Sequence, residues 1–297
     1  MDIEEVGFDR PCAKDVHGSL GTLDMHLILV RSDSVWSPNT VNTFPSPPLP
    51  RVSLLVMYLV SLTCFVVRFP LKMTGVPHTE WPAKGDVTPL HGLIVSTIKE
   101  SKNDLAPVGT VACDMASLDP ESMDVLVCHK WGNREPIFLR GITETTLNKL
   151  VPFLQDLESA GEDSIDSGSA FVAPIAPFQL RNTSYEHFIF CCAHVKRDMR
   201  CGYCGSKLAD LIEEEIAKRG LKEKVMAARV SHVGGHAYAG NVLAYPIGTW
   251  YGYMRPADVP RLFDEHISSG KILADKLRGK VGLNKTENAE LAKSLFT

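Results

Sequence analysis

The chain has little of three things that would settle its class at once: charge of one sign, long apolar runs, and cysteines spread along its length. Its 297 residues carry 31 Lys and Arg against 35 Asp and Glu, a formal net charge of −4. That balance lacks the basic footprint by which proteins hold nucleic acid, so no nucleic-acid partner is expected. The most apolar stretch, Ser53–Val67, has 15 residues and is flanked by Arg51 and Arg68. A helix crossing a bilayer needs about 20. The stretch follows a Pro/Ser-rich segment, 37–50, and reads as an insertion that packs poorly. Membrane contact through 53–67 is not expected. Met1–Pro11 is acidic and polar, the wrong chemistry for a secretory signal, and no basic, serine-rich transit segment is present. The cytoplasm is therefore the expected location. No glycine-rich nucleotide fingerprint occurs, because Gly234, Gly235 and Gly240 do not make G-x-G-x-x-G.

Only eight cysteines are present, and they are unevenly placed. Cys12, Cys64, Cys113 and Cys128 are scattered, while Cys191, Cys192, Cys201 and Cys204 fall within 14 residues. A disulfide framework spreads its cysteines through a small secreted chain. Clustering, followed by nearby histidines, points to a metal or redox site in a reducing compartment.

The two halves of the chain share one coarse order of elements. In the second half, Glu186–Cys192 reads as a buried strand and Gly205–Lys218 as a helix that Gly220 stops. Lys224–Ser231 is a further strand, and Asn241–Ile247 with Thr249–Met254 reads as a hairpin. Pro256–Ser269 reads as a helix, with Pro256 suited to its first position. In the first half, Met25–Val30, Val108–Cys113, Asp124–His129 and Pro136–Arg140 read as strands. Leu90–Glu100 and Thr143–Leu157 read as helices, the latter kinked or started late by Pro152. Strand–helix–strand, then hairpin, then helix is a thioredoxin-like order. The expected fold is α/β, with two tandem thioredoxin-like domains. The N-terminal domain covers 1–158, with an atypical insertion at about 37–84. A linker follows at 159–172, then the second domain at 173–280 and a tail at 281–297.

The residues that carry chemistry lie in FIFCCAHVKRDMRCGYCGSKLAD, Phe188–Asp210, and RVSHVGGHAYAGN, Arg229–Asn241. Cys192 and Cys201 bracket a loop of eight residues, and His232 and His236 bracket Val233-Gly234-Gly235. Two thiolates and two imidazoles suit zinc or an iron–sulfur cluster. Structural zinc on Cys201, Cys204, His232 and His236 is one rival, although 27 residues separate the pairs, about twice what a compact finger uses. A second rival is thiol–disulfide exchange at Cys201 and Cys204, a Cys-x-x-Cys at a helix start where the helix dipole lowers a thiol pKa. Trp250, Tyr251 and Tyr253 read as hairpin packing, with Trp250 and Tyr251 as a weaker candidate for a partner surface.

The pieces Cys192-x-His194-x-x-Arg197-Asp198-x-Arg200-Cys201-Gly202 and His232-x-Gly234-Gly235-His236-x-x-Ala239-Gly240-Asn241 resemble the sucrase/ferredoxin-like family. The resemblance is strongest over about residues 185–270. It implies that the C-terminal domain is a thioredoxin-like ferredoxin holding a [2Fe–2S] cluster on Cys192, Cys201, His232 and His236. His194, Arg197, Asp198, Arg200 and Asn241 would support those ligands; for the charged three, a solvated turn is the alternative. Neutral imidazoles make the oxidised site less negative than four thiolates would, so its potential should rise. Histidine-ligated Rieske centres lie at about −150 to +300 mV, against about −400 mV for four-cysteine plant-type ferredoxins. An imidazole can also lose its outer proton, which would couple electron uptake to proton uptake. The expected function is electron transfer or redox sensing between other redox proteins, a donor and an acceptor, rather than stand-alone catalysis. Sucrose hydrolysis is not supported, since it needs two placed carboxylates that nothing in the linear sequence singles out.

Overall fold

The computed structural model describes residues 7–8, 14–20, 25–30, 78, 81–82, 88–103, 105, 108–114, 122–129, 136–159, 179–180 and 184–297. The apolar stretch 53–67, most of the linker at 159–172, Cys12 and Cys64 lie outside them. Among the described residues no helix is long and apolar enough to cross a membrane.

The chain is mixed α/β. Strands β1 (Met25–Val30), β2 (Val108–Cys113), β3 (Met123–His129), β4 (Ile137–Ile142) and β5 (Gln179–Leu180) come from the first half. Strands β6 (His187–Cys192), β7 (Val225–Val230), β8 (Val242–Tyr245), β9 (Thr249–Tyr251) and β10 (Leu277–Lys280) come from the second. All ten form one sheet in the order β10-β9-β8-β6-β7-β2-β1-β3-β4-β5. One pairing pattern occurs twice. β1 is parallel to β2 and antiparallel to β3, which turns back onto β4. β6 is likewise parallel to β7 and antiparallel to β8, which turns back onto β9.

The halves meet edge to edge where β2 runs antiparallel to β7, with Cys113 opposite Val230. The backbone bonds Asp114 N–H to Arg229 O (3.0 Å) and Ser231 N–H to Ala112 O (2.7 Å) close this seam. The Arg229 guanidinium sits in it, ion-paired with Asp114, Asp210 and Glu213.

Strand alternation sends successive side chains to opposite faces. Phe188 and Phe190 of β6 join Ile28, Val111, Leu126, Met226, Leu243 and Trp250 in one core that spans both halves and, among the described residues, contains no helical one. On the other face, helix α1 (Pro89–Glu100) and helix α2 (Leu150–Ser159) cover the first half through Ile94, Ile98, Leu150, Leu154 and Leu157. Helix α3 (Met199–Lys218) covers the second half through Leu208, Ala209, Ile212 and Ile216. Helix α4 (Asp258–Arg261) runs directly into a wider-turned segment, Leu262–Ile267, that packs on the same side.

Two features depart from the sequence expectations. Helix α3 starts at Met199, not Gly205, because the Asp198 side chain caps it, accepting from Arg200 N at 3.0 Å. The stretch assigned to a tail holds helix α5 (Lys285–Ser294), opened by a capping box between Asn284 and Glu287. Trp81, near the end of the atypical insertion expected at about 37–84, is 1% exposed, and His78 beside it hydrogen-bonds Ser206 of α3 at 2.9 Å.

Candidate metal centre

The site begins at the end of a strand. Cys192 is the last residue of β6 and lies on the Phe188/Phe190 side of the pleat, while Cys191 points the other way into the α3 core. Cys201 sits in the first turn of α3. That helix closes hard on the strand end. A Cβ on Gly205 would collide with the Cys192 carbonyl, so only glycine permits the approach. Cys192, Cys201 and Ala239 are buried together, with Val233 packed against them.

His232 leaves the end of β7, the strand pinned by the seam. One ligand atom from each of Cys192, Cys201 and His232 comes within 4.8 Å of the other two. His236 stands beside this group rather than in it. Its ring stacks on His232, with centroids 6.0 Å apart and planes at 26°. Gly235, at φ +68°, makes the turn between them.

The electrostatics of the group are those of a donor set short of a positive charge. The Cys192 thiol is held well below its ordinary value by a hydrogen bond from Cys201, then by His232 and the Val233 N–H, against its burial. Cys201 is pushed up because it is the proton donor to Cys192 and is itself buried. A cation beside the pair would stabilise a second thiolate. His232 Nδ1 is buried with no hydrogen-bond partner. Two sulfurs and an unpartnered imidazole nitrogen are the soft donors that zinc and iron–sulfur centres use, so the residues fit such a group.

The supporting residues named from the sequence take different places. Asn241 braces the histidine turn, its side-chain amide donating to Gly235 O at 3.1 Å. Asp198 and Arg200 pair with each other in a two-pronged ion pair, at 2.9 and 2.7 Å. His194 hydrogen-bonds the Pro82 carbonyl at 3.0 Å and meets Trp81 edge-on at 5.8 Å. Its pKa is lowered, chiefly by burial. Arg197 is exposed. Cys201 and Cys204 are both 0% exposed, which leaves an external disulfide substrate no access to either. None of the six described cysteines is in a disulfide. Trp250 and Tyr251 are buried at 4% and 0% exposure, so the partner-surface reading of these two residues falls.

Sequence reasoning missed Arg278 of β10. Its side chain is 4% exposed, donates to Asn241 Oδ1 at 2.9 Å, and lies against Gly235, the residue before His236. Nothing in the local run Leu277-Arg278-Gly279-Lys280 signals this, because the contact is made across the sheet.

A family model described as sucrase/ferredoxin-like matches residues 16–279. The altered inheritance of mitochondria protein 32 of Meyerozyma guilliermondii is 37% identical over 99 residues, covering 32% of this chain and 35% of that protein. Its Debaryomyces hansenii counterpart is 40% identical over 98 residues, covering 31% and 35%. The chain thus spans about a third of the length of the curated relatives it matches. Among solved structures, a thioredoxin-like [2Fe–2S] ferredoxin from Aquifex aeolicus is 18% identical, with a TM-score of 0.29, covering 33% of this chain and 94% of that one.

Proposed function

This chain belongs to the sucrase/ferredoxin-like family, and from that premise we propose that it holds a [2Fe–2S] cluster on Cys192, Cys201, His232 and His236. It serves as an electron carrier or redox sensor between other proteins in a reducing compartment such as the cytoplasm. The observation that carries the proposal is the convergence of Cys192, Cys201 and His232, with the His236 ring stacked alongside. When bound, the cluster supplies a one-electron couple whose potential imidazole ligation raises. The chain supplies the rest. Cys201 gives up the proton it otherwise shares with Cys192, because the metal charge stabilises a second thiolate. The packing of Ala239 and Val233 against Cys192 and Cys201 keeps water from the sulfurs. The outer nitrogens of the histidines take up a proton as an electron arrives, so the potential falls as pH rises above the oxidised imidazole pKa. A potential flat from neutral to alkaline pH removes that coupling. The pairing pattern used twice supports reading the chain as two tandem thioredoxin-like units, the second being the ferredoxin.

A second reading has one observation in its favour. Three donors within 4.8 Å also suit a single tetrahedral ion, which would make this a zinc-stabilised interaction module. Anaerobic purification separates the two. The cluster reading expects a red-brown protein with about two iron and two sulfide per chain that bleaches with dithionite. A colourless protein with one zinc per chain and no sulfide refutes it.

A further inference from the structure

We propose that Arg278 is the fixed positive charge of this metal centre and the clamp that sets its histidine turn. The guanidinium is 4% exposed, yet among the described residues no carboxylate pairs with it. Its bonds go to neutral acceptors: Asn241 Oδ1 at 2.9 Å, Ser19 Oγ at 3.3 Å and Gly234 O at 3.5 Å. Tyr238 and Trp250 flank it, with their ring centroids 5.1 and 5.8 Å from the guanidinium carbon. A buried charge without a counter-charge is expensive, and folds keep one where something nearby repays it. Burial lowers its pKa; against that, Tyr238, Cys192 and Cys201 favour its charged form, the last two being the sulfurs of the site.

The clamp is visible in the contacts. Arg278 reaches the Gly234 carbonyl and lies on Gly235 so closely that a Cβ there would come within 2.5 Å of its Nη2. Asn241 holds the Gly235 carbonyl from the other side and accepts from Arg278. Three consecutive positions, Gly234 to His236, are thereby fixed relative to β10. The hydrogen bonds of Arg278 go to the turn and its brace rather than to a proposed ligand, so it acts through the turn and through its charge. With two thiolates and two neutral imidazoles the oxidised diiron site is formally neutral, and the reduced site carries one negative charge. A fixed cation close by therefore favours the reduced form.

The electrochemical arm of this proposal rests on the cluster reading above; the clamp does not. Two variants separate charge from clamp: Arg278→Gln removes both, and Arg278→Lys keeps the charge without the fork. In redox titrations of the anaerobically purified chain, Arg278→Gln should lose about tenfold in reduced-to-oxidised ratio at a fixed poise, or about 59 mV for one electron. Arg278→Lys should stay within about threefold of wild type, since the charge is retained. Hydrogen exchange on the metal-free chain reads the clamp. Amides of residues 234–239 should exchange at least about tenfold faster in both variants, with β6 and α3 unchanged as the control for global folding. If Arg278→Gln unfolds, Arg278→Lys decides alone: wild-type potential with faster exchange supports the proposal. A wild-type potential in a folded, loaded Arg278→Gln variant overturns it. So does a Lys variant shifted as far as the Gln variant, or exchange unchanged in both. A colourless wild type sinks the cluster reading instead, and exchange still judges the clamp.

Discussion

In the first half β1 ends at Val30, which pairs with Cys113 at the end of β2; in the second half β6 ends at Cys192, which pairs with Val230 at the end of β7. Two residues past β2 the sequence has Met115, and two residues past β7 it has His232. The strand order is the same, and the parallel pair ends the same way in both. Among the described residues, the proposed ligands stand at those ends in the second half only. The scaffold therefore does not make the site. Sulfur at the strand end, a glycine that lets a helix close on it, and a glycine-rich turn after the next strand make it. The first half contributes position instead. Its β2 edge pins β7 through Ala112 and Asp114, one residue before His232 leaves the strand.

The largest effect that sharpens this contrast comes from the cysteines. Cys192→Ala should reduce bound iron at least about tenfold, with no rescue by Cys191, which lies on the opposite face. Cys113→Ala, the buried thiol at the matching edge of the first half, should leave iron per chain unchanged. Its cost should be roughly 1 kcal/mol by denaturant titration. Equal iron loss in both variants would break the contrast.

Acid should act on the second half next. His266 is 1% exposed, hydrogen-bonded to the Tyr251 hydroxyl at 2.9 Å, and its pKa is lowered to about 4, chiefly by burial. A histidine whose folded pKa is depressed binds its proton more readily when unfolded. Its stabilising contribution is thus complete above about pH 6.5 and is lost as pH falls toward 4, to at most about 3 kcal/mol. Denaturant midpoints across that window should fall in the wild type and fall less in His266→Gln. Parallel curves would contradict the assignment.

Two glycines give the smaller test. Gly205→Ala drives a methyl into the Cys192 carbonyl and should cost about 1–3 kcal/mol together with metal content. Gly141 in β4 has φ +76° and open space within 4 Å of where a methyl would stand, so Gly141→Ala should cost about 1 kcal/mol in strain and no metal. Urea titration and iron analysis on both variants check this, and metal loss in Gly141→Ala would count against the division between the halves.

Strands were legible where their patterns are local. β2 and β1 occupy the expected residues, and the hairpin of β8 and β9 follows its Gly248 break. The cysteine and histidine motifs are legible for the same reason, because a short stretch of sequence at each strand end carries them. The start of α3 is set by the Asp198 cap rather than by the apolar periodicity, which begins only after Gly205. The seam between β2 and β7 joins residues more than a hundred positions apart, so no window of sequence contains it. Arg278 is hidden for the same reason: its neighbours Ser19, Gly235, Asn241 and Trp250 are brought to it by the sheet.

The central claim is that two sulfurs and two imidazoles share one diiron core, and His236, which stacks beside the convergent donors, is the member that most needs a direct reading. Electron–nuclear resonance on the reduced protein, prepared with 15N-labelled histidine, counts the nitrogens bound to iron. Two strongly coupled histidine nitrogens are expected, falling to one in His236→Cys. One coupled nitrogen in the wild type, or none, would contradict the account.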